Sequence, residues 1–509
     1  MPDHIHIYFP GDYRAAPNQL ALPTIEAATV QLERALDRLG KPHRRVEGLL
    51  SKPHHAIEKL RCIDEPLIGL YSHWVYGPHT TEGVVGKDNP LLLASNFSGT
   101  WPGLVGLLNT AACLEMVDRQ ASRAWTDAED WSSDERFMAQ LQEWCEKGAI
   151  EHDRSALHTP PAVSEPARTT AELVANDIRR RRPLALMLGD TSMGMTNGYL
   201  GPRLLSRIGF SEHKVDQAWL IERGRQIDNK RIDDAYRFVL DRGVTLHHGG
   251  DFGPNDTREQ LRDYLAVLDL VDEFQADCIG WQYQLGLIGL RPPSDFAEGL
   301  LNSTCRPESN GDTITDATEA DQGNLVPQEM LKRLLHAKGL HQAVFFHDIR
   351  WGEQRGDRFI WLLLNSGSSG AYAFNHDPDT LRGVHSYRQP AAYFPVPGGT
   401  FRGESLPGQI TWARAYLAGG ELWMDVGRGE VVALDPGTRD RWWQDTTPEW
   451  PLMAADLGVG RDALMAHYMS NHIAVAYGDV FEEMVALSQT LGFKVRELRD
   501  SRVEHTGHG

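Results

Sequence analysis

The chain is poor in cysteine. Its 509 residues include five, Cys62, Cys113, Cys145, Cys278 and Cys305, and no two of them form a CxxC pair. That spacing argues against a structural zinc site, and the odd count argues against a disulfide framework. Five reduced thiols are expected instead, and with them a cytoplasmic location. Positive charge is also scarce. Lys plus Arg number 51 against 70 Asp plus Glu, a formal net charge of −19. No basic face is expected for nucleic acid, and nothing draws the chain to an anionic membrane surface. Long apolar runs are missing as well. The longest uncharged stretch, 89–114, is broken by Pro90, Asn96, Ser98, Gly99, Thr100, Pro102 and Gly103. It reads as a strand, a turn and a helix, and not as a membrane span. The opening MPDHIHIYFPGDYR carries Asp3 and no sustained apolar region, so no secretory leader is expected. There is no Walker A loop, no GxGxxG after the first strand and no GxSxG elbow.

What is present is an alternation of buried-strand and amphipathic-helix patterns. IHIYF (5–9), PLIGLYSHW (66–74) and PLLLASNF (90–97) read as strands. Residues 23–40 read as a helix stopped by Gly40, and a Gly-rich turn at 98–103 leads into a second helix. Strand, turn and helix repeated in this way predict a doubly wound parallel sheet. Residues 151–172, polar and with three prolines, read as a linker. PLALMLGD (183–190) opens a second α/β segment, with helices expected near 229–242 and 257–275. After the acidic stretch 303–324, a third region is richer in strand signal: AVFFHDIRW, FIWLLLNSG, ITWARAYLAGGELWMDVG and EVVAL. The expected architecture is therefore α/β. Two Rossmann-like parallel-sheet domains, 1–172 (linker included) and 173–315, precede a β-rich C-terminal domain, 316–509.

Three residues carry the candidate chemistry. Glu298 interrupts an apolar helical run in PPSDFAEGLLNST. Asp321 follows a short strand-like piece, TITDAT. His472 opens an apolar run in MSNHIAVAYGD. Two carboxylates and an imidazole suit Mn²⁺ or Mg²⁺ with open positions. Each has a plainer reading: an exposed helix position for Glu298, a solvated acidic loop for Asp321, a strand or helix cap for His472. The adjacent pair His247 and His248, near Asp251, reads as a polar turn, since neighbouring side chains on a strand point to opposite faces.

Several blocks, in order, resemble the L-fucose isomerase family. They are ASNFSGTWPGLV (94–105), SMGMTNGY (192–199), GWQYQ (280–284), DFAEGLLNS (295–303), ATEAD (317–321), FHDIR (346–350), NSGS (365–368), Trp450-Pro451 and NHIAVAYG (471–478). The resemblance implies a metal-dependent aldose–ketose isomerase of carbohydrate metabolism, working through a metal-stabilised enediolate. It implies Glu298, Asp321 and His472 as ligands of Mn²⁺, with Mg²⁺ or Co²⁺ as alternatives, and Glu298 and Asp321 as acid and base. It also implies substrate contacts from Arg14, Trp74, Gln282, Gln284, Trp450 and Asn471. Arg14 and Trp74 are expected to act across a subunit interface, in a trimer or hexamer with shared sites. A small sugar is the expected partner, with no nucleic acid and no membrane. Two other readings remain open on the same scaffold: an epimerase or isomerase of a modified sugar, and a sugar-binding protein without catalysis.

Overall fold

The computed structural model describes residues 4–190, 194–366 and 369–500. The blocks SMGMTNGY and NSGS therefore lie partly outside the described residues.

The first sheet is built from β1 (Ile5–Pro10), β2 (His43–Leu50), β3 (Leu67–Tyr71), β4 (Leu91–Asn96) and β5 (Ser122–Thr126), in the order β2-β1-β3-β4-β5 and all parallel. Alternate residues serve opposite faces. Ile5, Ile7 and Phe9 pack with the helices Ala15–Arg38 and Glu135–Lys147, while Tyr8 joins the cluster holding the helix Gly103–Met116. Burial on both faces explains the apolar runs of β1, β3 and β4, whereas the edge strand β2 is charged and largely exposed. The first helix begins eight residues before the expected start and runs through Pro23. Its buried stripe Ile25, Ala28, Leu32, Ala35 and Leu36 continues unbroken past the proline, so packing outweighs the one missing backbone hydrogen bond.

The expected linker is only partly a linker. It contains β6 (Leu157–His158) and the start of the helix Glu165–Arg181. The second sheet follows, with β7 (Leu184–Leu188), β8 (Ser211–Val215), β10 (Cys278–Trp281) and β11 (Thr315–Thr318), again parallel, in the order β11-β10-β7-β8. Between them β9 (Thr245–Leu246) pairs outside the sheet with β14 (His385–Ser386). The expected boundary after residue 315 falls inside β11.

The C-terminal region closes on itself. β12 (Val344–Arg355), β13 (Arg358–Leu363), β15 (Gly408–Ala418), β16 (Glu421–Val431), β17 (Met453–Asp456) and β18 (His472–Tyr477) pair in the cycle β15-β18-β12-β13-β17-β16, and β16 returns to β15. This antiparallel barrel-like closure removes the exposed edges a flat sheet would leave. β19 (Lys494–Leu498) joins β16 in parallel and carries β6 on its far side, which ties the linker to the barrel. Among the described residues no helix is long and apolar enough to cross a membrane.

Candidate active site

The site gathers where the carboxyl end of the second sheet meets the barrel. β11 ends in a turn in which Glu319 and Ala320 both have positive φ, 63° and 55°. Two such non-glycine residues in succession are strained and persist only where surrounding structure imposes them. The turn delivers Asp321 to the N-terminus of the helix Gln322–Ala337. Its side chain makes no capping bond there. Instead Asp321 Oδ2 accepts a hydrogen bond from Arg414 Nη1 on β15 and another, at 2.7 Å, from His472 Nδ1 on β18. All three side chains are buried. Burial alone would raise the Asp321 carboxyl; the Arg414 guanidinium and His472 outweigh it and hold it below the usual carboxylate range. The helix N-terminus favours the same charge.

His472 is held on both sides. Its Nε2 lies 3.0 Å from Asp348 Oδ1 and 3.8 Å from Glu319 Oε2. Asp348 is its direct partner across the β12–β18 ladder. Burial opposes the charged imidazole, but Asp348 and Asp321 prevail and raise His472 to about 9. With both nitrogens engaged by carboxylates, it sits here as an imidazolium.

Glu298 occupies the short helix Asp295–Leu301 and is fully buried. The Thr318 hydroxyl donates to its Oε2. Burial pushes Glu298 up to about 7; the bond from Thr318 pulls the other way, and the negative charge of Glu319 adds to the rise. Asp295 and Asp316 are pushed well above the carboxylate range by burial and by Glu298. No cation pairs with any of these three carboxyls among the described residues.

Beside this core lies a cleft of about 550 Å³, its open mouth included, which Glu319, Asp348 and His472 help to line. Arg14, Trp74, Gln284, Trp450 and Asn471 also line it. Gln284 Nε2 donates to Glu319 Oε1 at 3.2 Å, and Asn471 Nδ2 to Asp348 Oδ1 at 3.3 Å. Trp450 is fixed by its indole N–H on Gln389 Oε1 at 2.7 Å. Arg14 is clamped by Asp12 at 2.6 Å and lies over the Tyr393 ring. Five of the six expected substrate contacts therefore share one cleft. Gln282 is the exception. It accepts from Gln217 at 2.9 Å and faces a different hollow, at the carboxyl ends of β7, β8 and β10. Strand alternation would put the two glutamines on one face, but the strand ends at Trp281 and Tyr283 between them takes a positive φ of 50°, so the chain turns and only Gln284 reaches the cleft.

In the single chain Arg14 and Trp74 line this same cleft. The expected trio of Glu298, Asp321 and His472 does not converge as a ready coordination shell. Asp321 and His472 meet as an ion pair, and among the described residues no three His, Cys, Asp or Glu are grouped so as to hold a metal ion. The carboxylates nevertheless fit a hard divalent cation as donors. Glu298 Oε1 and Asp321 Oδ1 are buried oxygens with no hydrogen-bond partner.

Four site residues escaped the sequence reading. Glu319 and Asp348 lay inside the quoted blocks ATEAD and FHDIR. Arg414 left a signal, a lone arginine within the apolar strand ITWARAYLAG. Tyr393 left none.

Comparison with known proteins adds one match. The family model described as L-fucose isomerase, C-terminal domain, matches residues 363–499. No curated protein matches. A solved structure, a conserved domain protein from Vibrio cholerae O1 biovar eltor, aligns at 10% identity over 55% of this chain and 74% of its own, with a TM-score of 0.17. At that score it carries no argument. The family match supports membership of the L-fucose isomerase family, a family of sugar isomerases.

Proposed function

We propose, with membership of the L-fucose isomerase family as the premise, that the chain interconverts an aldose and a ketose by moving a proton between C1 and C2. The observation that carries this reading is the pair Glu298 and Asp321. Both are fully buried, each keeps one unpartnered oxygen, and their proton affinities are pushed apart. A proton shuttle needs that division, one group holding its proton near neutral pH and the other ionised.

Asp321, ionised and oriented by Arg414, is the group suited to take a proton. Glu298, raised to about 7, is the group suited to give one. Neither lines the cleft; Asp321 stands behind His472, which it touches. A bound sugar must therefore reach past His472 and Glu319. Trp450 and Trp74 offer apolar faces to the sugar's carbons, and Gln284 and Asn471 offer amides to its hydroxyls. Glu298 and Asp321 would hold a divalent cation, Mn²⁺ in this reading with Mg²⁺ or Co²⁺ as alternatives, and His472 would complete the set only on losing one ring proton to solvent together with one carboxylate partner. The cation would supply Lewis-acid polarisation of the sugar's carbonyl. A cytoplasmic homo-oligomer belongs to the same proposal.

The test is hydrogen–deuterium exchange at C1 and C2 across a panel of aldoses and ketoses, in D₂O with Mn²⁺, with EDTA and with Glu298→Gln. Metal-dependent exchange abolished by Glu298→Gln is expected. No exchange on any sugar, in folded and metal-loaded protein, would overturn the reading for that panel.

A further inference from the structure

One cation in the cleft has no carboxylate in contact among the described residues. Arg14 is paired with Asp12, and His472 with Asp348 and Asp321. Glu319 is answered by Gln284 and His472. Arg350 also lines the cleft and is 6% exposed. Its Nε donates to the Gly99 carbonyl at 3.2 Å and its Nη2 to the Thr100 carbonyl at 3.3 Å. Among the described residues no carboxylate lies within 4.0 Å of it.

Asp348 favours the Arg350 charge from farther off, but it is itself engaged by His472 and Asn471, and burial prevails. A guanidinium taken out of water without a counter-charge in contact is expensive to keep. This one is also aimed. The register of β12 against β13 shifts between Ile349 and Trp351, so Arg350 is the extra residue of a bulge. Bulges re-aim a side chain beside a site. The two carbonyls, from the loop that follows β4, then fix the plane of the guanidinium. They use two of its five N–H groups and leave the Nη1–Nη2 edge for a planar or tetrahedral oxyanion. Tyr393 stands near both Arg350 and Arg14, so the two arginines share one wall. Arg350 lies two residues along β12 from Asp348, or ~6–7 Å along the strand.

We propose that the cleft takes a sugar carrying an anionic group, a carboxylate or a phosphate, and that Arg350 receives that group. This rests on the isomerase reading for the reaction and on the unpaired arginine for the substrate class. A neutral aldose leaves Arg350 buried with no counter-charge in contact; an acidic one supplies it.

The experiment compares each neutral sugar with its acidic relatives on the full, Mn²⁺-loaded chain: D-glucose against D-glucuronate and D-glucose 6-phosphate, and D-arabinose against D-arabinose 5-phosphate. The wild-type protein is expected to prefer an acidic member, and whether a uronate or a phosphate is preferred identifies the anion. Arg350→Gln is expected to raise KM for that sugar roughly ten- to a hundredfold with kcat less affected, and Arg350→Lys to restore part of it. Preference for the neutral parents in the wild-type protein overturns the inference while leaving the isomerase reading intact, and needs no variant that folds. An unchanged KM in folded Arg350→Gln overturns it too. If no sugar is turned over, equilibrium dialysis with the same acidic sugars decides. Binding that is lost in Arg350→Gln upholds the anion site and discards the isomerase; no binding discards both.

Discussion

Asp321 and Glu298 are equally dry and have opposite proton affinities. Each is fully buried, and burial alone raises a carboxyl. Around Asp321 stand Arg414, His472 and the N-terminus of a sixteen-residue helix, and the carboxyl is held low. Around Glu298 stand a threonine hydroxyl and three further acids, Asp295, Asp316 and Glu319, and the carboxyl rises to about 7. The difference lies in the neighbours and not in the depth. One region is a compensated ion cluster joining three segments of the chain; the other is a knot of acids whose proton affinities are raised by burial and by one another, with no cation paired to Asp295, Glu298 or Asp316 among the described residues.

The sharpest way to break this comparison is to neutralise each carboxyl in turn. Asp321→Asn and Glu298→Gln are both expected to lower kcat by roughly 10²- to 10⁴-fold. Their stabilities should diverge. Asp321→Asn leaves buried Arg414 facing no full charge, while His472 keeps Asp348, and should cost roughly 3–5 kcal/mol. Glu298→Gln should cost little and should gain on the wild type as pH rises. The sign follows from linkage. Glu298 has a folded value above its unfolded one, so the wild-type protein loses stability as pH climbs from about 4.5 to about 7, and the variant does not. Urea unfolding of the metal-free proteins at pH 5 and pH 8 reads both effects. Equal losses for the two variants would erase the distinction.

A smaller effect is expected at Arg414, which touches Asp321 from the barrel. In Arg414→Met the carboxyl keeps its burial and loses its main cation, so its proton affinity should rise, by about 1–3 units. The acid limb of the kcat profile should move up by that amount while the alkaline limb stays. An unmoved acid limb would show that Asp321 is not the group that must be ionised. The smallest effect is at Gly198. A Cβ there would stand 2.8 Å from Asp321 Oδ1, so Gly198→Ala must push the carboxylate aside. A loss of about 1–3 kcal/mol in thermal unfolding, with a fall in kcat, is expected; no change in either would mean that Asp321 has room to move.

Much of the fold was legible because it is locally encoded. Strands such as Leu91–Asn96 and Cys278–Trp281 are apolar runs bounded by turn residues, and the parallel class follows from their alternation with helices. The closure of the C-terminal sheet was not legible. It depends on β16 pairing with β15, β17 and β19, and pairing partners are chosen by packing at a distance and not by the residues of one strand. β6 was hidden for the same reason: two residues inside a proline-rich linker become a strand only because β19 is there to receive them. The first helix was cut short in the reading because Pro23 is a strong local signal, and the apolar stripe that overrides it acts only once the sheet is in place.

For the site, the sequence by itself determined which residue types were available. It supplied the acids Glu298 and Asp321, the imidazole His472, the indole Trp450 and the amides Gln284 and Asn471, in blocks that resemble one family. Only the tertiary structure decided their states. It separated Gln282 from Gln284, gathered Arg14 and Trp74 along one cleft, set Arg414 and Asp348 against the Asp321–His472 pair, and left Arg350 without a carboxylate in contact. The physical reason is that a side chain's chemistry is written in the chain, whereas its charge state depends on which other charges lie within a few ångströms in a dry interior. That is fixed by how the second sheet meets the barrel.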